Sequence, residues 1–117
     1  MAMEPRDLNT ALLEAFPELA PDFHEYVSWK DGMDTGAFLT YEDVFRSRLE
    51  KAIALGDAAF LQRAGAFIEE FFTSGDPYAV NVIYVGILEG LKANRDNAAV
   101  RLFLGAKSLA EFDALTY

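Results

Sequence analysis

Residues Pro77 to Leu91 read PYAVNVIYVGILEGL, and the spacing of their apolar side chains decides the fold class. Val80, Ile83, Tyr84, Ile87, Leu88 and Leu91 recur at the i, i+3, i+4, i+7 intervals that keep side chains on one face of an α-helix. Val82 and Val85 carry apolar surface onto the flanks, and Asn81 and Glu89 are the strongly polar side chains of the stretch. A helix apolar over so much of its circumference has to be covered by other helices. Its start is written in the sequence as well. Ser74-Gly75 breaks the preceding segment, Asp76 offers an N-cap oxygen, and Pro77 suits the first helical position, where no N–H donor is needed. Gly86 and Gly90 cost helix propensity but permit close approach of a neighbouring backbone.

Upstream of this helix the same punctuation recurs. Asp57 caps a helix in which Phe60, Leu61, Ala64, Phe67, Ile68, Phe71 and Phe72 hold helical spacing, and Ser74-Gly75 ends it. Before it, Thr40 with Asp43 reads as a shortened capping box, opening a helix with Tyr41, Val44, Phe45, Leu49, Ala52 and Ile53 inward and Gly56 as its stop. Gly56-Asp57 and Gly75-Asp76 lie nineteen residues apart, and connections this short make successive helices antiparallel neighbours. Towards the N-terminus, Asp7 caps a first helix that Pro17 ends, and a second runs from about Ala20-Pro21 to about Lys30 with Phe23, Tyr26 and Val27 buried. Trp29 falls beside that stripe and reads as core, the alternative being an exposed anchor for a partner. Towards the C-terminus, Asp96 and Ser108 cap two last helices, with Ala99, Val100, Phe103 and Leu104, then Leu109, Phe112 and Leu115, turned inward. The expectation is an all-α chain: one domain over residues 1–117, a helical bundle or short HEAT-like α-solenoid of about six or seven helices.

Composition narrows the function. There is no cysteine, so disulfides, thiolate nucleophiles and zinc-thiolate sites are excluded. The N-terminal MAMEPRDLNT lacks the basic and apolar regions of a secretory signal, and no run approaches the roughly 18 apolar residues of a membrane span. A cytoplasmic protein without a membrane partner is therefore expected. A formal charge of −9 argues against nucleic acid and for plain solubility or a basic partner. That charge is concentrated. Residues 1–45 hold ten acids against Arg6 and Lys30, whereas the rest of the chain holds nine acids and eight bases. The loop KDGMDTG, Lys30 to Gly36, lies within the acidic part and suits a contact loop. Its Asp31 and Asp34 lack the alternating oxygens and closing Glu of a calcium loop.

No catalytic pattern emerges. His24 is the single histidine and reads as solvated. No serine, threonine or lysine has motif context, and adjacent Glu69 and Glu70 diverge by about 100° on a helix. No enzyme activity, cofactor or metal is expected. A small metal site or enzyme around Asp22, His24 and Glu25 stands as the remote third reading.

Several stretches resemble a family of small, all-helical, acidic bacterial proteins: Phe16-Pro17-Glu18-Leu19, Glu25-Tyr26, Phe67-Ile68-Glu69-Glu70 through Asp76, Asn81-Val82-Ile83, Leu88 to Leu91, and Leu104 to Leu109. Proteins of this kind look like immunity proteins, the cytoplasmic partners that neutralise a cognate toxin in contact-dependent inhibition or polymorphic-toxin systems. The resemblance implies a binding protein and carries over no catalytic residue. With the charge asymmetry, it points to an acidic surface that covers a basic toxin such as a nuclease, made by Asp22, Glu25, Trp29, Asp31, Asp34, Glu42 and Asp43. The free chain is expected to be a monomer or weak homodimer. The alternative is a helical scaffold or adaptor that associates through an apolar groove beside Phe38, Tyr41 and Phe45.

Overall fold

Gly56 and Gly75 take left-handed backbone, φ 69° and 73°, which side-chain-bearing residues adopt only under strain, and each closes a helix. Asp57 and Asp76 then accept hydrogen bonds from the N–H groups of Phe60 (3.2 Å) and Ala79 (2.9 Å), opening the next helices as the sequence predicts. The computed structural model describes residues 3–93 and 97–115; the cap expected at Asp96 lies outside the described residues. Among these residues there are seven helices and no strand. Helix α1 is Pro5–Ala15, and a 3₁₀ turn, Pro17–Leu19, leads into α2, Ala20–Val27. A second such turn, Gly32–Asp34, lies in the loop before α3, which covers residues 37–55. Helix α4 is Ala58–Ser74, α5 covers residues 77–93, α6 is Asn97–Phe103 and α7 is Ala106–Ala114.

Helix α4 packs against α3, α5, α6 and α7. Its Phe60, Ala64, Ile68 and Phe71 are buried, and Phe67 meets the rings of Phe16, Phe45 and Phe71 edge-on at centroid distances of 5.4, 5.6 and 4.9 Å. Tyr41 is fully buried and donates its hydroxyl to the Leu8 carbonyl (2.6 Å), so α3 is bonded to α1 through a satisfied polar group. The radius of gyration, 13.4 Å, is that of one compact domain of this length.

Both long inner helices are interrupted by π-turns, Tyr41–Arg46 in α3 and Tyr84–Leu88 in α5. The two turns meet. A Cβ on Gly86 would lie 3.6 Å from the Phe38 carbonyl oxygen and from Cβ of Tyr41, ordinary van der Waals contact, so the crossing has room for a methyl group there. The π-turn also corrects the expected stripe. Before it the buried residues are Ala79, Val82 and Ile83; within and after it they are Gly86, Ile87, Leu88 and Leu91. A π-turn inserts one residue into the helical repeat. Leu88 and Leu91 thereby rejoin the face, while Val80 and Tyr84 are only half-buried.

Four further expectations are corrected. Helix α1 begins at Pro5 and Asp7 sits in its first turn, accepting from the N–H of Glu4 (2.8 Å). Helix α3 begins at Ala37, so Thr40 is not a cap, and its hydroxyl turns back to the Gly36 carbonyl (3.4 Å). Helix α7 begins at Ala106, which puts Ser108 inside the first turn. Tyr41 and Phe45 are fully buried and Phe38 half-buried, so Tyr41 and Phe45 belong to the core and offer a partner no apolar surface.

Candidate functional site

Helix α2 sets out the candidate site by its period. Phe23 and Val27 point into the core and are buried, while Asp22 and Glu25, three residues apart, are exposed and Tyr26 beside them is half-buried. The helix ends at Val27, earlier than the sequence pattern suggests. Trp29 lies past the helix end and is 80% exposed, which overturns its reading as core and agrees with the alternative of an exposed side chain. The ammonium of Lys30 stands 4.0 Å from the Trp29 ring centroid and 4.9 Å from that of Tyr26. Tyr26 in turn donates its hydroxyl to the carboxylate of Asp43 on α3. Burial, then the bond to Asp43, push the phenol up to about 12.

The predicted acids do not share one environment. Asp34 is held side-on by Arg6, Nε to Oδ1 and Nη2 to Oδ2 at 2.9 Å each, so the loop is bonded to α1. The guanidinium keeps the Asp34 carboxyl below its ordinary range. Glu42 pairs with Arg46 at 3.6 Å, and Arg46 also reaches Glu50 at 3.4 Å. Asp22 and Asp43 line one shallow groove of about 290 Å³, but Arg48 and Lys51 line it too. Asp22, Glu25 and Asp31 make no ion pair among the described residues. They are all exposed, on α2 and the loop that follows it. Outside the predicted set, Arg63 of α4 reaches Glu18 at 2.6 and 3.0 Å and the Ala15 carbonyl at 2.9 Å. Arg46 and Arg63, from the second part of the chain, thus pair with Glu42 and Glu18 of the first, while Asp22, Glu25 and Asp31 at the α2 end stay without an ion pair among the described residues.

Two residues were not legible as site-shaping. Asn9, fully buried on α1, donates its amide to the carbonyls of Met33 (2.9 Å) and Thr35 (2.8 Å), and so fixes the loop that carries Asp31 and Asp34. Glu69 on α4 accepts from the N–H groups of Lys107 and Ser108 and from the Ser108 hydroxyl. Neither has a local signal, since the partners lie 24 or more residues away. His24 is exposed and lies edge-on to Phe23. Among the described residues no three His, Asp or Glu side chains converge where a metal could be held. No helix among them is long and apolar enough to cross a membrane.

The chain belongs to the DUF7674 family, a domain of unknown function, whose pattern matches residues 9–116. No curated protein and no solved structure matches it.

Proposed function

We propose that this member of the DUF7674 family is an immunity-type binding protein of the cytoplasm, which neutralises a cognate basic protein toxin by direct contact. Its contact face is α2 with the following loop. One observation supports this reading above others: Trp29, 80% exposed, lies on the same segment as Asp22, Glu25 and Asp31, the acids of the predicted set that are exposed and make neither an ion pair nor a side-chain hydrogen bond among the described residues. An exposed indole ringed by charge is the composition of an interface anchor, and free carboxylates steer a basic partner on to it. Tyr26, Lys30 and Asp43 brace this face without covering the indole.

Capture from a source lysate at low and at physiological salt identifies the partner, and titration then tests the face. Reversing Asp22, Glu25 and Asp31 together to Lys weakens binding at least about tenfold and flattens its salt dependence, with the unfolding temperature unchanged. Trp29→Ala weakens it by a similar factor through slower association and faster release. Full affinity in both variants sinks the reading.

A second reading, a self-associating scaffold, draws on a different surface. Leu55 and Leu102 are 70% and 88% exposed, and Leu102 lines an apolar groove of about 310 Å³ with Ile53, Leu61, Ala99 and Phe103. Light scattering decides it: a mass that rises with concentration and falls to the monomer's in Leu102→Glu supports the scaffold, and a constant monomer mass removes it.

A further inference from the structure

Two carboxylates play no part in the α2 face: Glu14 on α1 and Glu70 on α4, which line the same groove of about 530 Å³. Helical spacing builds its walls. Ala11, Glu14 and Ala15 stand at i, i+3 and i+4 on α1, and Phe67, Glu70 and Phe71 do so on α4. The alanines leave the space that larger side chains would fill. Phe67 and Phe71 supply an apolar floor, with rings 4.9 Å apart, and Phe67 is backed by Phe16 and Phe45. Rings packed against other rings have little freedom to collapse into the groove. Glu14 and Glu70 are exposed and make no ion pair or side-chain hydrogen bond among the described residues. The volume lies within the range of about 300–1,000 Å³ that holds small ligands.

We propose that this groove binds a small organic cation, an apolar body carrying one ammonium group. The body lies on Phe67 and Phe71, where burial of apolar surface supplies the attraction. The ammonium sits at the rim between the two carboxylates, which accept its hydrogen bonds and compensate its charge. The same body with a carboxylate would meet two like charges, and a neutral analogue would lose the charge-assisted contacts. Selectivity therefore follows charge at constant shape.

Three probes of matched shape test this on the full chain: 2-phenylethylamine, 2-phenylethanol and 3-phenylpropionate, followed by amide chemical shifts. The amine gives saturable shifts at Ala11, Glu14, Phe67 and Glu70, and binds about tenfold tighter than the alcohol; the carboxylate gives none. Glu14→Gln with Glu70→Gln keeps the fold and removes the preference for amine over alcohol. Ala15→Leu fills the groove and abolishes both. Equal affinity for amine and alcohol, a preference that survives the double variant, or no saturable shift up to about 10 mM amine each overturns the proposal. None of these outcomes depends on the α2 face.

Discussion

Glu69 ties two helices together through one carboxylate. It accepts from the N–H groups of Lys107 and Ser108 (2.9 Å each) and from the Ser108 hydroxyl (2.8 Å). Those N–H groups open α7 and have no acceptor within their own helix, so the carboxylate caps α7 from outside and meets its positive end. Burial pushes the carboxyl up, but the donors of Ser108 and Lys107 outweigh it, and the net pKa is lowered from its ordinary 4.5. A carboxylate depressed on folding contributes stability above its unfolded pKa, and that contribution is lost as the pH falls through the folded value. Glu69→Gln is accordingly expected to cost about 1 kcal/mol in urea unfolding at neutral pH. The gap to the parent chain narrows between about pH 5 and pH 3; a gap constant over that range means that the charge is not what caps α7. Two glycines give a second comparison at this scale. A Cβ on Gly65 would lie 1.9 Å from the backbone carbonyl oxygen of Phe103, whereas on Gly90 it would meet the guanidinium end of Arg46. Backbone cannot yield cheaply and a long side chain can. Gly65→Ala should cost about 2 kcal/mol or more, and Gly90→Ala within about 1 kcal/mol, as read by thermal melts.

Among the elements, the paired π-turns are the feature that departs most from a regular reading. Apolar spacing announces α5 and its start without ambiguity, because Asp76, Pro77 and the Ile83, Ile87, Leu91 repeat all act locally. The extra residue at 84–88 has no such signature: Tyr84, Val85, Gly86, Ile87 and Leu88 would suit an unbroken α-helix as well. What selects the wider turn is the crossing with α3, where Gly86 meets Phe38 and Tyr41 and both Ile87 and Leu88 have to be buried. If the π-turn is one inserted residue, removing an exposed residue inside it restores a plain α-helix with both buried faces in place. Val85 is 42% exposed and is that residue. Deleting Val85 should preserve cooperative urea unfolding, while deleting Asn81 turns the fully buried Val82 and Ile83 by about 100° and broadens or abolishes the transition. Cooperative unfolding in both deletions would show that the face is not set at the π-turn. The early end of α2 belongs here too. Trp29 falls beside the buried stripe in the sequence, and with α2 stopping at Val27 it stands in water, 80% exposed.

For the whole molecule, charge and shape act together. The chain carries −9, and two ion pairs, Arg46 with Glu42 and Arg63 with Glu18, bring positive charge from the second part of the chain on to the acidic part. The net excess remains, so self-repulsion opposes folding. Raising salt from about 10 mM to about 150 mM should raise the unfolding temperature of the free chain and weaken its complex with a basic partner. A melting temperature that falls with salt would mean that the ion pairs outweigh the repulsion. The all-α class, the number of helices, the Gly-Asp boundaries and the position of the acidic excess were all determined by sequence alone, because capping, turn chemistry and the helical repeat act between residues a few positions apart. The tertiary structure alone decided which acids stay unpaired, that Trp29 is exposed, that Glu69 caps a distant helix, and that Glu14 and Glu70 share a groove. These depend on which helix faces bury which surfaces, and residues many positions apart acquire partners only when the whole bundle closes.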